Sequence, residues 1–94
     1  MRFNDTNNHQ IQGANGQYRY VRATNVTASA VVIRVHNVPD AGKTTIDIAT
    51  VDQDNSIEYG YSVPANKSRM WPINPQFPLI VYNGTANAIN WSMA

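Results

Sequence analysis

From Gln17 onward, apolar and polar positions interleave with a period of two, the spacing at which alternate side chains face opposite sides of a strand. Tyr18, Tyr20 and Arg22 alternate with Arg19, Val21 and Ala23, which predicts a strand ended by a turn at Thr24-Asn25. The stretch from Ala30 to His36 is the strongest strand candidate, rich in β-branched residues, with Val31, Ile33 and Val35 on one face and Val32, Arg34 and His36 on the other. Asn37 to Gly42 reads as a turn, Thr44 to Val51 as a strand, and Asp52 to Asn55 as a turn. Ile57, Tyr59, Tyr61 and Val63 then alternate against Glu58, Gly60 and Ser62, and Pro64 to Lys67 breaks the run. Two further strands are predicted at Leu79 to Tyr82 and Ala88 to Met93, joined by Asn83-Gly84, a tight-hairpin dipeptide. No window has a 3.6-residue period.

Between Arg69 and Ile80 three prolines, Pro72, Pro75 and Pro78, interrupt a segment that also holds Trp71 and Phe77. Proline lacks the backbone donor, so this segment is neither a helix nor a central strand, yet it is too apolar to be a solvated loop. It must press on a surface. At the other end, residues 1–16 are dominated by Asn, Gln, Thr and Gly, with Phe3 and Ile11 as the apolar anchors. They are expected to form an extended arm whose order depends on a partner. The fold expected is all-β: a single antiparallel β-sandwich or jelly-roll-like barrel over residues 17–94, preceded by the extended N-terminal arm over 1–16.

A chain of 94 residues holds one core. Charged residues are 14% and the net charge is +1, a balance that gives no electrostatic reason for a nucleic-acid or anionic-membrane partner. The absence of cysteine excludes a disulfide framework and a thiolate site. No apolar run approaches the roughly 20 residues that span a bilayer, and the N-terminal stretch has no export-type apolar region. The Asn-x-Ser/Thr sequons at Asn4, Asn25, Asn66, Asn83 and Asn90 read as by-products of turn-rich composition.

Candidate chemistry is sparse. Gly42-Lys43-Thr44 resembles the end of a phosphate loop, but the position of its first glycine is Asn37 and a strand follows, so a hairpin turn is expected. Asp52, Asp54, Ser56 and Glu58 alternate as calcium-loop ligands do, without the loop's glycine and distal glutamate, and read as a solvated turn. His9 and His36 show no metal or nucleophile-base pattern, and His36 is expected on a strand face. Asp5, Asp40, Asp47, Asp52, Asp54 and Glu58 could supply a carboxylate pair, but a small sandwich seldom encloses the cleft a hydrolase needs. No catalytic residue, metal or cofactor is expected.

The aromatic residues say more. Tyr82 and Trp91 are expected in the core, whereas Tyr59, Tyr61 and Trp71 are expected to meet something outside it, a protein surface or a sugar ring.

Three stretches carry a resemblance: Ala23 to Val35, with Asn25-Val26-Thr27 ahead of alternating valines; Val63-Pro64-Ala65-Asn66-Lys67-Ser68; and the closing Thr85 to Ser92. In this order they resemble small β-sandwich virion proteins of tailed bacteriophages, over residues 20–92. The resemblance implies a non-enzymatic structural role in the virion, assembled in the host cytoplasm. The role implied is a capsid decoration or cement protein binding major capsid subunits, with a neck, tail or fibre component as the alternative. A carbohydrate-binding module is the reading from another class. Phe3, Ile11, Tyr59, Tyr61, Trp71 and Phe77 are the expected partner contacts, and a homo-oligomer is expected.

Overall fold

A computed structural model describes residues 1–37, 50–51 and 57–94, with backbone alone at 50–51 and 57–60. The fold is the expected all-β arrangement of two antiparallel sheets packed face to face. Its strands are β1 (His9–Gln12), β2 (Tyr20–Asn25), β3 (Val31–Asn37), β4 (Thr50–Val51), β5 (Ile57–Val63), β6 (Ser68–Pro72), β7 (Leu79–Asn83) and β8 (Ile89–Met93). One sheet has the order β1-β7-β3-β5-β4 and the other β6-β2-β8. The phosphate-loop and calcium-loop readings, and most of the strand expected from Thr44, lie outside the described residues.

Alternation decides which side chains meet between the sheets. Val31, Ile33 and Val35 of β3 and Leu79 and Val81 of β7 face Val21 and Ala23 of β2 and Ile89 and Trp91 of β8 in one buried cluster. The exposed Tyr20 and Arg22 take the opposite phase on β2, since a buried guanidinium without a partner is costly. Tyr82, expected in the core, is only half-buried: it has the opposite phase from Val81, and the Arg34 guanidinium carbon lies 5.3 Å from its ring centroid. His36 keeps its strand position but is fully buried.

Most connections cross between the sheets, contrary to the hairpins that the turn signals suggest. β7 and β8 flank Asn83-Gly84 yet belong to different sheets, so this is a crossing turn. Gly84 is required here for space: its amide donates to the Val32 carbonyl at 2.7 Å, and an added Cβ would lie 3.0 Å from that oxygen. The left-handed turn positions fall instead on Asn15, Asn66 and Asn87, with φ of 58°, 58° and 60°. Asparagine tolerates that conformation better than other side chains with a Cβ.

Buried asparagines end β2, β3 and β7. The Asn25 amide donates to the Ser29 and Val63 carbonyls, and its oxygen accepts from the Thr27 amide and hydroxyl. Asn37 donates toward the carbonyls of Asn74, Phe77 and Pro78 at 3.1–3.3 Å and accepts from the Asn74 amide. Asn83 donates to the carbonyls of Asp5 and Thr85. Asn37 answers the puzzle of the proline-rich segment: β6 is an edge strand, where Pro72 needs no donor, and Asn37 holds the turn that follows. The surface this segment presses on is the protein's own core, through Trp71, Ile73 and Leu79.

Within residues 1–16 only His9–Gln12 is a strand, with bends at 4–7 and a turn at Asn15, and contacts with the rest of this domain hold the segment where dependence on a partner was expected. The Met1 and Trp91 backbones exchange two hydrogen bonds of 2.7 Å, the Asn87 amide donates to the Phe3 carbonyl, and β1 pairs with β7 across a bulge between Gln10 and Gln12. The segment thus staples β8 of one sheet to β7 of the other. Gln12 extends this pairing with its side chain, bonding the Tyr18 amide and carbonyl at 3.0 and 3.2 Å.

Asn37→Ala should strip the proline-rich turn of its donor and lower folding stability by about 3 kcal/mol, since several buried backbone groups lose their partner. Denaturant unfolding checks this, and Asn37→Asp, which keeps the acceptor but not the donors, should recover little.

Candidate functional site

The residues expected to contact a partner are not gathered on one surface. Phe3 and Ile11 are half-buried against the core, and Phe3 stacks on the His9 ring with centroids 3.8 Å apart and planes at 4°. Trp71 is buried at 8% exposure and meets Tyr61 edge-on at 5.9 Å. Tyr61 is itself half-buried, with the Arg69 guanidinium carbon 4.1 Å from its ring centroid. Phe77 is half-buried in the proline-rich turn, and the Tyr59 side chain lies outside the described residues. Trp71 is therefore core rather than contact surface, because β6 brings its indole between the sheets. A sugar-stacking role for Trp71 is corrected for the same reason.

The open surface lies on the outer face of β6-β2-β8. Cross-strand register sets side chains there in rows: Pro72 beside Tyr20, Met70 beside Arg22 beside Ser92, and Ser68 beside Thr24 beside Asn90. Tyr20 is 46% and Met70 52% exposed, large values for apolar residues on adjoining strands. Tyr20, Arg22, Met70, Ser92, Met93 and Ala94 enclose a depression of about 260 Å³. Among the described residues the exposed Arg22 guanidinium reaches the Met70 sulfur at 3.8 Å, a weak acceptor. No family model, curated protein or solved structure matches the chain.

Charge is segregated in a way that the net value conceals. Five of the six acidic residues and Lys43 lie between 38 and 60. The remainder carries Arg2, Arg19, Arg22, Arg34, Lys67 and Arg69 against Asp5 alone. Among the described residues the one ion pair joins Asp5 to His9, at 2.6 Å. A second, more open depression of about 390 Å³ is lined by Asn15, Gly16, Arg19, Asn74, Pro75 and Gln76.

The Asp5–His9 pair escapes a reading of isolated histidines, although its i, i+4 spacing is visible in the sequence. His9 Nε2–H donates to the Asp5 carboxylate, the Asn7 amide adds a bond at 3.1 Å, and the two hold the Asp5 carboxyl below its ordinary value, the His9 bond chief among them. No group of His, Cys, Asp or Glu side chains suited to a metal ion occurs among the described residues.

The outer-face residues lay within the reach of sequence reasoning. The alternation of Tyr20 and Arg22 with Val21 and Ala23 marks two faces, and the cost of burying a charge selects the Arg22 face for solvent.

Two outcomes follow from these placements. Trp71→Ala should act as a core truncation and destabilise by about 3–5 kcal/mol in thermal or denaturant unfolding. Because Asp5 is held below its unfolded value near 3.9, its stabilising share is present above about pH 4 and is lost as pH falls through the lowered folded value. Melting temperatures of the wild type and Asp5→Asn should therefore converge on acidification and separate toward neutrality.

Proposed function

We propose that this chain is a non-enzymatic virion structural domain that attaches to capsid subunits through the outer face of its three-stranded sheet. The observation that carries the reading is the exposure of Tyr20 and Met70, diagonal neighbours on that face. A mixed apolar and polar surface of this kind suits docking against another protein, with tyrosine and methionine supplying area and polar neighbours supplying orientation. The resemblance of the motifs over residues 20–92 to small phage virion sandwiches agrees with this role. Each copy binds modestly, and repetition over a symmetric shell makes the coat stable. A neck or tail position would use the same face against a different ring of subunits.

Mixed with shells of the major capsid protein of its own phage, the purified chain should cosediment, and Tyr20→Asp or Met70→Asp should weaken binding by about tenfold or more. Retention of the chain in the supernatant at every concentration, or undiminished binding by both variants, overturns the proposal.

A further inference from the structure

We infer that the partner presents a carboxylate to Arg22, flanked by apolar side chains that settle on Tyr20 and Met70; this rests on the contact face proposed above. Arg22 stands on the middle strand of its sheet and is exposed. Its cross-strand neighbours, Met70 and Ser92, and its same-face neighbours along β2, Tyr20 and Thr24, include no acid. A guanidinium has donors in a fixed fork that matches a carboxylate with two parallel bonds. Among the described side chains the one carboxylate, Asp5, is held by His9, and no ion pair to Arg22 occurs among the described residues.

The same features choose among occupants. A second copy docked by this face would bring like charge to like charge around Arg22, which disfavours two-fold self-pairing. A nucleic-acid backbone needs cations repeated along its track, whereas this face offers one arginine amid Tyr20, Met70 and Pro72. One charge set in an apolar surround fits a protein segment with an acidic residue between apolar ones, the mixed character expected at the centre of a protein interface.

The isotope-labelled full chain, titrated with a short peptide alternating Glu and Phe, tests this by NMR. Amide signals of Tyr20, Arg22, Met70, Ser92 and Met93 should shift and saturate. The same peptide with Gln for Glu should bind about tenfold more weakly, and Arg22→Gln, with unchanged signal dispersion elsewhere, should erase the difference between the two peptides. Equal binding of both peptides by the wild type, shifts confined to other residues, tighter binding of a single-stranded oligonucleotide at this face, or self-association through it would each overturn the inference. Capsid shells separate this outcome from failure of the function itself. If Arg22→Gln cosediments as the wild type does while Tyr20→Asp does not, the face stands and the carboxylate anchor falls; if the wild type fails to cosediment, the function falls.

Discussion

A small sandwich whose chain passes repeatedly from one sheet to the other has to satisfy the backbone at every crossing, and here buried side-chain amides do so. Asn25, Asn37 and Asn83 end β2, β3 and β7, and each is at most 1% exposed. A strand that leaves its sheet gives up ladder partners for its last residues and for the turn beyond, and unpaired buried carbonyls are costly. An amide carries donors and an acceptor in one planar group, so a single asparagine can stand in for several lost ladder bonds. With no disulfide available, this polar framework and the core around Trp91 hold the crossings in place.

That framework also determines what is left for the surface. Asn37 fixes the turn that carries Trp71 and Ile73 inward, and the bonds from Asn83 and β8 draw residues 1–5 onto the domain. The segments with the greatest apparent need for a partner are thus used internally. Exposed apolar side chains include Val32 on the larger sheet and a pair on the small sheet, whose inward phase is taken by Val21, Ala23, Trp71, Ile89 and Trp91 and whose outward phase leaves Tyr20 and Met70 in water. Binding at such a face costs little rearrangement, since its side chains are set by strand register on a packed core.

Two ring clusters illustrate the same economy of contacts. In one, the N-terminal segment bridges β7 and β8, with Phe3 and Ile11 tucked against the core and His9 held between the Phe3 ring and Asp5. In the other, Arg69 lies over the Tyr61 ring, which also meets Trp71, so this ring already has partners within the domain. A cation over an aromatic face shields it from water without a carboxylate being needed.

The strands themselves were legible because their signal is local. Val31, Ile33 and Val35 declare a buried face by alternation and β-branching alone, and the period-two pattern from Tyr20 to Ala23 divides β2 correctly. Pro72 likewise announces an edge strand, since it cannot donate to a second neighbour. What each strand pairs with is a different matter: Asn83-Gly84 has the chemistry of a hairpin, but the close approach of Gly84 to the Val32 carbonyl is a contact across about fifty positions of sequence, made only when β7 lies beside β3. The fates of Trp71, Phe3 and Tyr82 were settled in the same way, by which sheet their strand joined and which face that sheet turned inward. Composition, period and turn chemistry determined an all-β, cysteine-free domain and the phase of its strands. The order of the strands, and with it the burial of the proline-rich segment and the placing of Met70 beside Arg22, was decided only by the tertiary structure, because burial and pairing depend on non-local neighbours that no single strand's pattern encodes.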